Sequence, residues 1–563
     1  MGYKRLGDLL LAAGLIDESE LARGLELQKS TKKRLGEVLI TSGIISQKQL
    51  IEALEVQLGV DYIDLSKTAL APELAHVIPQ SMAKKHQIIP IKIEKDEIWL
   101  AMSDPLNFMA LEDVKRVTRR KVIPVIAASE AVDRAIISLY GSEGAARAIE
   151  EMRRETAGDG KQTGIHGISV EDTDIHSAPS IRLVNSIIEQ AVSERASDIH
   201  LEPREQEMVV RIRVDGMLRN LLTVPRDLQG SVISRIKVMG EMNTSERRVP
   251  QDGRANVVVR ERNVDLRIST LPTIYGEKMV IRLLDKSQQL TTRHEIGLDD
   301  QSLKVYEQLM HSTSGVILVA GPTGSGKSST MSTMVRELNT ETVNIVTLED
   351  PVEYDIPGVN QCQINEKTGM TFAGGLRSVL RQDPDIISVG EIRDGETAEI
   401  AMRAAITGHL VLSTLHTSDC CATLDRLYDI GVEPYLTSSA LRGIVAQRLA
   451  RKLCPHCKKA YTPDERELDL LGIPERPGQK FYRGEGCSYC YHTGYYGRTG
   501  VFEVLALDKR IRPLVTRRAP RDEVLAEARK EGFRTLADRC RELVLDGTTS
   551  AEEAARIIHS VEE

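Results

Sequence analysis

The chain has 563 residues, more than a single hydrophobic core organises, so several domains are expected. It is 41% hydrophobic and 28% charged with a mean hydropathy of −0.23, and no apolar run approaches the ~18–20 residues that a membrane helix needs. A net charge of −8, with only 4% aromatic residues and a single tryptophan (Trp99), argues against a nucleic-acid-binding surface.

The first elements are a repeat. Residues 5–28 read RLGDLLLAAGLIDESELARGLELQ and residues 34–57 read RLGEVLITSGIISQKQLIEALEVQ, with KSTKK between them. Arg5/Arg34, Leu6/Leu35, Gly7/Gly36, Leu10/Leu39, Gly14/Gly43, Leu21/Leu50, Leu25/Leu54 and Gln28/Gln57 agree in step. Each copy predicts two short helices, the second opened by a capping signal, Asp17-x-x-Glu20 or Ser46-x-x-Gln49. The basic-then-apolar start imitates a signal peptide. Asp8 interrupts it and the pattern returns at residue 34, so a cytoplasmic protein is expected.

Residues 1–69 therefore read as a helical repeat domain. Residues 70–141 mix helices with the strand-like IIPIKI, IWLAM and VIPVIA, a small α+β subdomain. Residues 142–178, rich in Gly, Ser, Asp and Glu, predict a flexible linker. Strand patterns dominate 179–288 (MVVRIRVDG, ANVVVRERNVDLRIST, EKMVIRLL), whereas 289–450 alternates strands with helices, which predicts a parallel sheet. The fold class is multidomain, α/β and α+β.

The strongest chemistry lies in SGVILVAGPTGSGKSSTMSTM. Gly321-Pro322-Thr323-Gly324-Ser325-Gly326-Lys327-Ser328 satisfies G-x-x-x-x-G-K-[ST], followed by Ser329, with a strand-like run before it and a helix-compatible run after it. The glycines let backbone N–H groups cradle phosphates at a helix N-terminus. Lys327 would reach the β/γ-phosphates of ATP and the Ser328 hydroxyl would bind Mg²⁺. Downstream, NIVTLEDPVEY places Glu349, Asp350 and Glu353 after one strand, and DIISVGEIRD places Glu391 after another. Carboxylates at strand ends beside such a loop suit metal coordination and orientation of an attacking water, and spacing alone does not divide those roles among them. GHLVLSTLHT sets His409 and His416 around one apolar strand; a lone His is usually structural, and a pair flanking a strand of a nucleotide domain shifts that balance.

Four of the eight cysteines form two C-x₂-C pairs, Cys454/Cys457 and Cys487/Cys490, separated by 29 residues. Doubled C-x₂-C suits a tetrahedral S₄ zinc site, assigned to a module over 451–500. Residues 501–563 read as charged amphipathic helices.

LRQDPDIISVGEIRDGETA, TGHLVLSTLHT, RRVPQDGR and LPTIYGEKMVIRLL together resemble the secretion ATPase superfamily over about residues 180–505, nearest to the type II secretion and type IV pilus assembly motors (GspE/PilB-like). The resemblance implies a RecA-like P-loop core preceded by a PAS-like α+β domain, and a homohexameric Mg-ATPase. It also implies a peripheral place at the inner membrane, reached only through platform and cytoplasmic-domain partners. It gives Glu353 the water-activating role, Glu391 the Walker B role, and His409 and His416 the sensing of the γ-phosphate. Arg267 in VDLRIST and Arg282 in MVIRLL match arginines that complete the site from the preceding domain, with Arg377 and Arg381 as supporting arginines.

A DNA-translocating or conjugation-type ATPase is the alternative within enzymes, disfavoured by the acidic charge and the cysteine module. A weakly hydrolysing nucleotide-binding regulator is disfavoured by Glu353, Glu391, Arg267 and Arg282 occurring together. Pilus retraction motors lack the zinc module and the long N-terminal region in the family pattern, so an export or assembly motor is expected, with the two left open. The repeat itself resembles the tandem motif of MshE-type N-terminal domains. That implies cyclic di-GMP binding through Arg5, Leu6, Gly7, Leu10 and Gln28 and through Arg34, Leu35, Gly36, Leu39 and Gln57. A helical docking module is the other reading of the same residues.

Overall fold

A computed structural model describes residues 6–31, 35–45, 49, 55, 60–65, 67–68, 70–105, 107–157, 178–259, 262–285, 292–474 and 478–562. The chain divides into two units, residues 1–285 with 487–492, and residues 286–486 with 493–563.

In the first unit, helices Leu6–Ala12, Glu18–Thr31 and Leu35–Thr41 carry the repeat. The reciprocal cap read from the sequence forms: Glu20 N–H donates to Asp17 Oδ1 at 2.8 Å and Asp17 N–H donates to Glu20 Oε2 at 2.9 Å. Leu10, Ile16, Leu39 and Ile45 make a small core. Strands β1 (Ile88–Glu94), β2 (Glu97–Met102) and β3 (Lys121–Ile126) coincide with the three expected runs and pair in that order, antiparallel and then parallel. Helix Ser129–Ala157 corrects the expected linker, because it continues through residues 142–157. Ala145, Ala148 and Met152 recur at helical spacing and bury with Leu183, Val184 and Ile187 of helix Pro179–Ser193. The Gly and Glu content of the segment obscures that stripe, and the rest of the expected linker, 158–177, lies outside the described residues.

Strands β4 (Asp198–Pro203), β5 (Glu207–Val214), β6 (Met217–Pro225), β7 (Gln251–Val259), β8 (Arg262–Thr273) and β9 (Gly276–Asp285) form an antiparallel sheet in the order β6-β5-β4-β9-β8-β7. Strand alternation sends Ile199, Ile212, Leu266, Ile268 and Ile281 into one core with helix Gln229–Met239. The charged residues between them face the other way.

The second unit is built on β10 (Gly315–Ala320), β11 (Ile345–Glu349), β12 (Asn360–Gln363), β13 (Ile386–Val389), β14 (Leu410–Leu415) and β15 (Leu441–Leu453). A short pair, β16 (Lys458–Tyr461) and β17 (Phe481–Gly484), stands apart, and β18 (Tyr495–Ala506) rejoins the large sheet. The order is β12-β11-β13-β14-β10-β15-β18, all parallel except the last pair. Every residue of β10, β13 and β14 is buried, as expected of parallel strands covered on both faces. Two expected boundaries move. The ATPase sheet does not end at 450, since β15 reaches 453 and the seventh strand comes from beyond the cysteines. Residues 501–506, expected as the start of the helical tail, are strand: Phe502 and Val504 fill the core beside Val445. A short apolar run next to helices gives no period to separate the two states. Helices Ile511–Thr516, Arg521–Arg529, Leu536–Leu545 and Ala551–Glu562 follow. Among the described residues no helix is long and apolar enough to cross a membrane.

Candidate active site

Parallel pairing brings the carboxyl ends of β10, β11, β13 and β14 to one edge of the sheet, where loops converge on a cleft of about 450 Å³. From β10 the chain turns through 321–326 into helix Lys327–Leu338. Gly326 stands at the N-cap with φ +92°, and a Cβ there would lie 2.7 Å from Gln447 Nε2, so only glycine closes the turn. Gln447 is itself pinned by Thr330, whose hydroxyl donates to Oε1 at 2.7 Å. Thr323, Gly324, Gly326, Lys327, Ser328 and Ser329 line the cleft. The Lys327 ammonium donates to the carbonyls of Gly321 and Pro322, at 2.7 and 3.0 Å. Burial pushes it down to about 8; Glu391 pulls it up and Arg448 lowers it further.

Of the acids that spacing left unassigned, Glu353 and Glu391 both line the cleft, as do Glu349 and Asp350. Glu349 is committed to the scaffold: its Oε1 accepts from the Thr347 hydroxyl at 2.6 Å and from Gln361 Nε2 at 2.9 Å. Glu391 is held at the end of β13 by Arg393, whose Nε donates to Oε1 at 2.8 Å, and by His416, whose Nε2 lies 3.3 Å from Oε2. The arrangement therefore gathers a phosphate-binding turn, a lysine, a hydroxyl suited to a metal, two carboxylates and an imidazole in one recess. That set serves phosphoryl transfer from a nucleoside triphosphate to water.

The family model described as type II/IV secretion system protein matches residues 173–556, and an MshEN domain model matches 58–146. The chain belongs to the type II/IV secretion system protein family. Type II secretion system protein E of Pseudomonas aeruginosa is 41% identical over 484 residues, which is 85% of this chain and 96% of that one. The type IV pilus assembly ATPase PilB of Myxococcus xanthus is 39% identical over 98% of both chains. A solved structure of MshE with cdg is 32% identical, covering 24% of this chain and all of its own, with a TM-score of 0.24. The protein is an ATPase of the type II secretion and type IV pilus assembly group.

Not every residue expected at the secretion ATPase site is gathered there. His409 precedes β14 while His416 follows it, and β14 runs parallel to β10 from Leu410↔Gly315 to Leu415↔Ala320. The strand therefore separates the two imidazoles by about 20 Å, leaving His409 at the edge opposite the phosphate-binding turn. There its Nδ1 bonds to the Ala404 carbonyl at 2.9 Å. Arg377 and Arg381 are exposed on helix Phe372–Val379 and the turn after it, away from the cleft lining; Arg377 pairs with Glu396, and Arg381 Nη1 donates to the Arg377 carbonyl at 2.8 Å. Arg267 and Arg282 face each other across β8 and β9 of the antiparallel sheet. Arg498 lines the cleft from β18 and carries no motif; only its register opposite Arg451 on β15 could have revealed it.

The four cysteines converge. Their sulfurs all lie within 4.8 Å of one another, and all four residues are buried. Cys487 Sγ and Cys490 Sγ are 3.7 Å apart, close to the about 3.8 Å edge of a tetrahedron built on zinc–sulfur bonds. The donor set fits a structural zinc ion.

In the N-terminal repeat, Leu10 and Leu39 are fully buried, Leu35 and Gln28 are half-buried, and Gly36 is buried. Arg5, Arg34 and Gln57, the residues with most ligand character, lie outside the described residues, and of Leu6 only the backbone is described.

Lys327 loses its proton as pH rises through about 8, and bound triphosphate restores it by neutralising the site. Nucleotide binding is therefore expected to take up a proton near pH 8 and to weaken by up to about tenfold between about pH 7 and pH 9. Calorimetry in buffers of different ionisation enthalpy reads both, and affinity constant over that range with no proton uptake refutes the role given to the lysine. For the cysteines, elemental analysis is expected to find about one zinc per chain, lost together with thermal stability in Cys487→Ser/Cys490→Ser. Metal-free wild-type protein of unchanged melting temperature would exclude zinc.

Proposed function

We propose that this ATPase works as a homohexameric, Mg²⁺-dependent motor that drives inner-membrane platform partners of a type II secretion or type IV pilus assembly machine. The observation that carries the reading is the single cleft lined by Lys327, Ser328, Glu353, Glu391 and His416. The backbone N–H groups of 321–328 and the Lys327 ammonium would cradle the phosphates, and Ser328 with Glu391 would hold the metal. Mg²⁺ held there would supply neutralisation of phosphate charge.

Glu353 orients the attacking water and accepts its proton. Between Glu391 and open solvent, His416 is suited to register the γ-phosphate, since loss of that charge changes the field on an imidazole already paired with a carboxylate. Arg267 and Arg282 supply positive charge to the transferring group, so that movement of their domain and chemistry become coupled. Zinc held by the four cysteines would tie together the segment between β15 and β18.

The N-terminal repeat adds a regulatory reading. In the sequence Arg5 and Gln28 recur as Arg34 and Gln57, two sets of donors that would suit the two halves of the cyclic di-GMP dianion. The MshEN domain match at 58–146 supports that assignment from the adjoining residues.

Glu353→Gln is expected to keep Mg-ATP affinity within about threefold while turnover falls at least about 100-fold. Unchanged turnover would remove the water-orienting role. Titration of the full chain with cyclic di-GMP is expected to give saturable heat that Arg5→Ala/Arg34→Ala abolishes. Absence of heat at high micromolar ligand leaves the repeat as a docking module.

A further inference from the structure

The antiparallel sheet carries a single row of charge across five strands. Register pairs Arg213 with Asp198, Asp198 with Arg282, Arg282 with Arg267, and Arg267 with Arg254. Directly paired residues share a face, so four guanidinium-bearing side chains and one carboxylate stand side by side on the face turned away from the Ile199, Ile268 and Ile281 core. Like charges directly opposite one another destabilise a sheet, and Asp198 is the one acid in the row.

Its carboxylate is closely held. The Ser197 hydroxyl donates to Oδ2 at 2.8 Å, and Arg213 Nε lies 3.7 Å from the same oxygen. Arg213 is anchored in turn, through Nη1 donating to the Gly216 carbonyl at 2.9 Å. Oδ1 is thereby aimed at Arg282, whose Nε donates to it at 3.3 Å. The Asp198 side chain is only 13% exposed while that of Arg282 is 59% exposed.

The atom used is informative. Gripping Arg282 by Nε leaves both Nη groups directed outward, and among the described residues these have no other partner. The Nη pair is the fork that binds two oxygens of a phosphate at once. A guanidinium held at its inner nitrogen has lost much of its rotamer freedom before the anion arrives, which reduces the ordering cost of binding.

We propose that Asp198 is a positioning residue for phosphoryl transfer: it holds Arg282 by Nε so that the Nη fork is presented to the phosphate oxygens of the nucleotide. This rests on the reading of Arg282 as a phosphate-contacting arginine. The role given to Asp198 passes through Arg282 alone.

The test is a double-mutant cycle in the full chain, Asp198→Asn, Arg282→Gln and the double variant, with steady-state ATPase kinetics and melting temperature measured on each. Arg282→Gln is expected to lose about 10³-fold in kcat. Asp198→Asn is expected to lose about tenfold to 100-fold in kcat with KM for ATP within about threefold, and to melt at a lower temperature than wild type because the arginine row loses its one acid, while remaining folded at the assay temperature. The double variant is expected to match Arg282→Gln within about twofold, because the carboxylate has nothing left to orient. Asp198→Glu is expected to restore part of the lost turnover. A double variant that loses the product of the two single factors overturns the proposal, as does an Asp198→Asn protein with wild-type turnover beside an impaired Arg282→Gln. Wild-type turnover in Arg282→Gln fails the arginine reading itself and the proposal with it. If Asp198→Asn does not fold, Ser197→Ala loosens the same carboxylate at Oδ2. It is expected to lower kcat about threefold where Arg282 is intact and not at all when combined with Arg282→Gln.

Discussion

Parallel pairing of β10, β11, β13 and β14 is the constraint on which the site depends. Parallel strands deliver every carboxyl end to the same edge, so residues far apart in sequence meet there without any local instruction to do so. Gly326, Glu353, Glu391 and His416 each sit just after a strand of this sheet, and their convergence follows from strand direction more than from loop design. The same rule sends His409 away. It belongs to the same short motif as His416, yet one parallel strand puts the two on opposite edges. Complete burial of β10, β13 and β14 makes the edge rigid, which suits a cleft that must hold phosphates before any chemistry starts.

The antiparallel sheet obeys a different geometry and yields a different tool. Alternation gives one face to the core, and cross-strand pairing lines up the other face in rows. A row containing Arg254, Arg267, Arg282 and Arg213 is costly in isolation, and Asp198 relieves only part of it. An anion placed at the Nη groups of Arg282 would relieve it further. The recess at the edge of the parallel sheet and this charged face are thus products of two different pairing rules.

Much of this was legible in the sequence, for physical reasons that differ by element. The phosphate-binding turn declares itself because its glycines answer to backbone torsion, and β1–β3, β10, β13 and β14 because short apolar runs bounded by turn residues have few other uses. The cysteines converge as their doubled spacing indicates. The helix through 142–157 was obscured because a burial stripe of Ala145, Ala148 and Met152 is thin and surrounded by residues typical of linkers. Spacing alone left Glu349, Glu353 and Glu391 undivided, because what commits Glu349 to the scaffold is Thr347 and Gln361, partners that only the fold assembles. Arg498 and Asp198 were missed for the same reason: their significance is a cross-strand register, and register is not written in any one strand.

The N-terminal repeat separates what packing demands from what a ligand would demand. Leu10 and Leu39 are fully buried in one small core, so matching leucines are what the first helix of each copy requires. Gly14 and Gly43 adopt φ of +67° and +70°, and Leu15 and Ile44 close onto the carbonyls of Leu10 and Leu39 at 3.0 Å, the same helix termination made twice. These identities therefore follow from folding alone and say nothing about a ligand. Arginine and glutamine do not build cores, and their recurrence at one phase in both copies is the part that packing leaves unexplained. Substituting the leucines would empty the core, and a side chain at Gly14 or Gly43 would strain the helix termination, so either change tests folding and not a ligand. Substituting Arg5, Arg34, Gln28 or Gln57 is what distinguishes a second-messenger site from a docking helix.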